Sequence, residues 1–278
     1  MSEPDRAWAA THLAALADSD GTRLDLGEAA LAFAALDREV DLAPYRRHLA
    51  QLAAEFDHAL HAGGGTLQDG LDALRAVLVE RHGYEGDRES YDNLDNADLT
   101  RVIDRRRGLP VALGILWLHT ARSAGWDGYG LAFPGHFLIR IARSGDESVL
   151  LDPFASGRRL ETAELRSLLK SISGAQAELQ PEYYAPVDDR AVLLRLQNNI
   201  KSRLIQAGEM QRATDILRRM TRIAPDHPEL WFELATLCAE AGQMQDAIAA
   251  AGRHAQLAPV AVRSKADALL QQLKQRLN

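Results

Sequence analysis

Shifted by 34 residues, the C-terminal third of the chain superposes on itself, setting Ala207 on Ala241, Gly208 on Gly242, Met210 on Met244, Ala213 on Ala247 and Pro225 on Pro259. A period of this length is that of a helix-turn-helix unit, which cannot bury its apolar face alone and must stack on its neighbours. The small residues carry the packing: Ala235 and Ala247 are expected where paired helices cross, because only a short side chain lets two axes interlock closely. The first copy is more degenerate. It has Gln197 where the second has Trp231 and Lys201 where the second has Ala235, which predicts a looser crossing of the kind terminal repeats often show. Residues from Val262 to Leu277 are predicted to form one amphipathic helix that caps the array.

Trp231, Leu234, Ala235 and Cys238 on one helix, Ala247 on the next and Pro259 closing the unit resemble the tetratricopeptide repeat. The resemblance implies two repeats, from about Val192 to Pro259, and a groove lined by the first helix of each pair. The family pattern puts Arg195, Asn198, Ser202, Phe232 and Thr236 on that face, and these are the candidate contacts for a protein or peptide partner. Two repeats make a short groove, so the expected surface is a composite one, presented jointly with the rest of the chain. Cys238 falls at a core position and is expected to be a small buried hydrophobe rather than a reactive thiol.

Upstream, Asp25 and Glu28 are spaced as a capping box before Ala29, Ala30, Leu31, Phe33 and Ala34. A second helix is predicted from about Asp41, its apolar set Leu42, Tyr45, Leu49, Leu52, Phe56 and Leu60 stepping by three and four. Gly63 to Gly65 break it, and Thr66 caps a third helix that runs to Gly83, followed by a polar loop to Asn96. From Pro110 to Ala124 almost no polar face remains, which marks a buried helix. Strands are predicted over Tyr129 to Phe133, Phe137 to Ile141 and Val149 to Leu151, then a helix from Glu161 to Ile172. The fold class is therefore α+β, with the Pro181 to Pro186 run as the predicted boundary between residues 1–186 and an all-α segment, 187–278.

Composition narrows the functional classes. A formal charge of -7 gives no field to attract a phosphate backbone or an acidic membrane, so neither nucleic acid nor membrane is an expected partner. The single cysteine excludes an internal disulfide and a cysteine-based zinc site and fits a reducing, cytoplasmic compartment. His58 and His61 lie three apart on one helix but lack a clear third ligand, so no metal is expected. Neither a dinucleotide fingerprint nor a phosphate-binding loop is present, and no cofactor is expected. Arg105, Arg106 and Arg107 form the one basic run, expected to be a solvated loop paired with local acids such as Asp98 and Asp104.

The stretch from Gly108 through the buried helix to Gly125, with His136 and then Asp152 and Pro153, resembles the core of the transglutaminase-like superfamily over about Tyr91 to Phe154. In that family a cysteine opens the buried helix, a histidine takes its proton and an aspartate orients the imidazole. His136 and Asp152 match the second and third members. The first is missing, because Pro110 stands where the cysteine belongs and no Cys, Ser or Thr occurs from Arg101 to His119. Tyr91 to Asn93, Arg106 to Pro110, Pro134 to Phe137 and Asp152 to Phe154, ahead of tetratricopeptide repeats, are similar to the bacterial regulators of SirC expression. That resemblance implies a regulatory or accessory role. Members commonly carry a hydroxyl residue at the position of Ala112, which is lacking here.

The expectation is thus a non-catalytic adaptor or regulator, with His136 and Asp152 kept as a hydrogen-bonded pair. The competing expectation is a hydrolase or acyl-transfer enzyme in which His136 acts as general base without a cysteine nucleophile.

Overall fold

The structure, a computed structural model, describes residues 3–19, 23–63, 66–143 and 148–259 together with position 271. These form two compact units, one of residues 1–12 and 20–196, the other of residues 13–19 and 197–278.

Helix α1 (Glu3–Ala17) contributes to both units, and the first unit continues with α2 (Leu26–Asp37), α3 (Ala43–Ala62) and α4 (Leu67–Arg75). Asp25 caps α2 by accepting the Glu28 N–H, but the reciprocal half of the expected box is replaced: the Glu28 carboxylate takes the Arg46 guanidinium at 2.9 Å. Thr66 and Asp69 form a complete capping box at α4. That helix widens into a π-helical turn over Ala76–Arg81, which periodicity does not predict. Leu49, Leu52 and Phe56 of α3 and Leu74 of α4 are buried, as their spacing requires.

The segment expected to be a polar loop departs from that expectation. Tyr84 is buried, and Glu85–Gly86 (β1) pairs in parallel with Arg107–Gly108 (β2), with a short helix between them, α5 (Leu99–Arg105). The basic run closes this unit, with partners other than those expected. Arg105 donates to Asn96 and to buried Asp87, both at 2.9 Å, and Arg107 pairs with Glu85 and Glu89. Arg106 ends α5 in the left-handed region at φ +61° and meets His48 and the Tyr84 hydroxyl. Asp98 and Asp104 instead engage Arg38 and Tyr45.

Helix α6 (Pro110–Ser123) is buried on nearly every side, which accounts for its missing polar face. It packs against an antiparallel five-stranded sheet ordered β6-β5-β4-β3-β7, made of Asp127–Leu131 (β3), Ile139–Ala142 (β4), Ser148–Asp152 (β5), Arg158–Arg159 (β6) and Pro186–Val187 (β7). Leu131, Phe133, Leu138 and Leu160 build a second apolar layer with Leu165 and Leu169 of α7 (Thr162–Ser173). The Pro181–Tyr184 stretch forms a 3-10 turn leading into β7, which pairs with β3.

Helix α8 (Asp189–Gln206) begins in the first unit and ends in the second, followed by α9 (Met210–Ile223), α10 (Pro228–Glu240) and α11 (Met244–Leu257). Gly208 and Gly242, equivalent in the repeat, turn the chain at φ +76° and +72°. Ala235 and Ala247 are fully buried. In the degenerate copy Gln197 is buried with both amide atoms unpaired among the described residues, and Lys201 is buried against Glu233 of α10. Residues Val262 to Leu277, expected to cap the array, lie outside the described residues except for position 271.

Candidate functional site

The candidate site draws on three segments, of which the end of β5 meets His136 directly. The first is the entry to α6. Leu109 donates its N–H to the Asn96 carbonyl at 2.9 Å, and Pro110 takes the first helical position, where its missing N–H costs nothing. The Asn96 amide in turn donates to the Ser90 carbonyl. Asp87 anchors the same loop through the Ser90 N–H and hydroxyl and the Arg105 guanidinium. Burial opposes its ionisation, yet the bonds from Ser90, Asn96 and Arg105 hold its carboxyl far below the usual carboxylate range. The acceptor at Asp87 and the hydroxyl three residues on are a turn signature carried by the sequence itself.

The second segment joins β3 to β4 and carries His136. The third is the end of β5, where Asp152 is buried. His136 Nε2 lies 2.9 Å from Asp152 Oδ1, and the same oxygen accepts the N–H groups of Phe154 and Ala155, capping the 3-10 turn Pro153–Ala155. Asp152 therefore fixes both the imidazole and the backbone that follows it. The other ring nitrogen of His136, Nδ1, makes no hydrogen bond among the described residues.

Phe154 extends the site. Its ring stands edge-on to His136 at 6.2 Å and to Tyr91 at 5.7 Å, with the Arg88 guanidinium 5.3 Å from its centre. Beside it lies a cavity of about 340 Å³, lined by Glu85, Gly86, Arg88, Arg107, Phe154 and Ser156 among others. Tyr91 is one of two large apolar side chains that are exposed among the described residues. No thiol stands at the entry to α6. The hydroxyls of Thr100 and Thr120, which flank it in sequence, donate to Asp98 and to the Leu116 carbonyl.

Of the candidate contacts on the repeats, Asn198 is exposed and Ser202, Phe232 and Thr236 are partly exposed, all in the second unit. The Phe232 ring lies 5.3 Å from that of His254, and the Thr236 hydroxyl donates to the Phe232 carbonyl. Arg195, on the same helix α8 as Asn198 and Ser202, is assigned to the first unit, where it donates to the Phe133 carbonyl and stands 5.4 Å from the Phe137 ring centre. Cys238 is buried. Burial pushes its thiol up, against the pull of Arg218, whose guanidinium is 3.9 Å from Sγ and which proximity in sequence could not reveal. Among the described residues no group of three or more His, Cys, Asp or Glu could hold a metal ion, and no helix is long and apolar enough to cross a membrane.

Both parts of the chain are similar to known proteins. Residues 43–198 match the family model of the transglutaminase-like superfamily, and residues 204–277 match that of the tetratricopeptide repeat. A UPF0162 protein of Vibrio cholerae is 30% identical over 215 residues, 77% of this chain and 78% of that one. A UPF0162 protein of Xylella fastidiosa is 29% identical over 192 residues, 68% of each chain. Protein SirB1 of Salmonella typhimurium is 27% identical over 158 residues, 57% of this chain and 58% of its own.

Proposed function

Because this chain belongs to the transglutaminase-like superfamily and continues into tetratricopeptide repeats, we propose that it is a non-catalytic adaptor or regulator acting through protein contacts. The observation that carries the proposal is Pro110, buried at the first position of α6, where the superfamily places its cysteine. A triad without a nucleophile retains orientation but loses covalent chemistry. His136 and Asp152 then serve the fold: the pair ties the β3–β4 connection to the end of β5 in a poorly solvated place. The division of labour is a transglutaminase-like part over 1–186 and a repeat part over 187–278. The repeat part captures a protein or peptide through Asn198, Ser202, Phe232 and Thr236, with Arg195 nearby in sequence. The likeness to SirB1 supports a regulatory role, the acidic charge supports the absence of nucleic-acid and membrane partners, and the single cysteine supports a cytoplasmic setting.

The test is affinity capture with the full chain and its variants. His136→Ala should lose stability, by about 1–3 kcal/mol for the orphaned carboxylate, and keep its partners. Phe232→Ala and Asn198→Arg should keep stability and lose them. An unchanged partner set in both repeat variants overturns the proposal.

One observation favours a second reading, catalysis by His136 as general base, namely that Nδ1 is left without a protein partner while Asp152 orients the ring. An amide-hydrolysis screen of wild type against His136→Asn separates the two. Turnover that disappears in a still-folded variant establishes the enzyme.

A further inference from the structure

A second cavity, of about 470 Å³, shares Ala155 and Ser156 with the one beside Phe154 but is built differently. Its apolar wall is Leu71 of α4, Trp117 from the middle of α6, and Leu151 of β5. Its polar wall is Arg75 at the end of α4 with Arg158 and Arg159 of β6. Gly157 makes the space possible. It turns back over Trp117 at φ +70°, and a Cβ there would stand 2.0 Å from the indole ring. Ligand cavities of this size that combine apolar walls with a few convergent polar groups are the usual form of small-molecule sites.

The charge is out of keeping with the chain. In a protein of formal charge -7, three arginines line this cavity and one carboxylate does, Asp72, which already accepts the Gln68 amide at 3.0 Å. The arginines are available. Arg75 forms no ion pair among the described residues. Arg158 reaches Glu164 only at 3.9 Å, and Arg159 pairs with Glu161 where both side chains are more than half exposed, so neither pair is worth much in water. Glu161 and Glu164 do not line the cavity. The Ser156 hydroxyl also lacks a partner among the described residues and adds a donor.

We propose that this cavity binds a phosphate monoester carrying a compact apolar group, the phosphate held by Arg75, Arg158, Arg159 and Ser156 and the apolar group against Leu71 and Trp117. The net charge of the lining residues, three guanidinium groups against one carboxylate, balances a dianion. Guanidinium forks match phosphate geometry bidentately. This site is independent of the regulatory reading above and stands or falls separately from it.

The test is calorimetric titration of the full-length protein with phenyl phosphate, beside inorganic phosphate and phenol. Saturable 1:1 binding of phenyl phosphate, weakened by added salt, is expected, with inorganic phosphate weaker and phenol silent. Arg75→Gln and Arg158→Gln, both at exposed positions, should each weaken it about tenfold without changing the melting temperature of the free protein. Three results would overturn the proposal: no saturable binding, binding unaltered in both variants, or equal binding of inorganic phosphate.

Discussion

Arg122, in the last turn of α6, holds Asp189, the first residue of α8, by two parallel hydrogen bonds of 2.7 and 2.8 Å, with both side chains almost out of water. The fork is saturated on both sides. Arg122 also donates to the Gly128 carbonyl, and Asp189 accepts the Leu24 N–H at 2.7 Å. Removing one partner strands a buried charge, so Arg122→Met or Asp189→Leu alone should destabilise the protein by about 3–5 kcal/mol in urea denaturation. The double variant should lose less than the sum of the two. It should not return to wild type, since Gly128 and Leu24 keep unpaired backbone groups. Additive losses would show that the pair does not act as a unit.

A pH dependence follows from His48. Burial first, then the charge of Arg106, lowers its imidazole from 6.5 to about 4. The unfolded chain therefore takes up a proton near pH 6.5 that the folded chain refuses until about pH 4. The stability due to neutral His48 is complete above pH 6.5 and is lost as pH falls through that window. The side chain is only partly buried, so the loss between pH 7 and pH 5 should be about 1–2 kcal/mol after solvent screening. Glu55 works in the same direction at lower pH. Burial resists its ionisation, but Gln51, His82 and Arg81 hold it to about 2, so its contribution is lost only in stronger acid. Urea midpoints at the two pH values for wild type and His48→Gln check this. An equal fall in both proteins would remove His48 as the cause.

Local rules made much of this fold legible. The caps at Asp25 and Thr66, the apolar stripe of α3 and the polar-free face of α6 are contacts within a few residues, and each appears where its spacing puts it. The 34-residue period survives as Gly208 and Gly242 at matching turns. Long-range pairing was hidden. Arg105 finds Asp87, 18 residues back, rather than Asp98 or Asp104, because β1 must come alongside β2 before those side chains meet. Tyr84 looked like the start of a polar loop, yet it is buried, and its hydroxyl meets His48, 36 residues away. At the candidate site the motif supplied His136 and Asp152, but not Phe154 edge-on to both His136 and Tyr91, which depends on three segments arriving together.

Helix α11 offers two substitutions of opposite sign. Ala247 is fully buried where α11 meets α10, beside Ala250 and Ala251, which are also buried. Ala247→Leu forces a larger side chain into that crossing and should cost about 1–3 kcal/mol. Five residues on, Gly252 sits inside the same helix, and a Cβ added there meets nothing within 4 Å among the described residues. Gly252→Ala should therefore stabilise by about 0.4–1 kcal/mol, chiefly by narrowing the unfolded ensemble. Thermal melts of the two single variants read both effects on one structural unit. A loss at Gly252→Ala would mean that this face of α11 is covered by something, and no loss at Ala247→Leu would mean that the crossing can widen without cost.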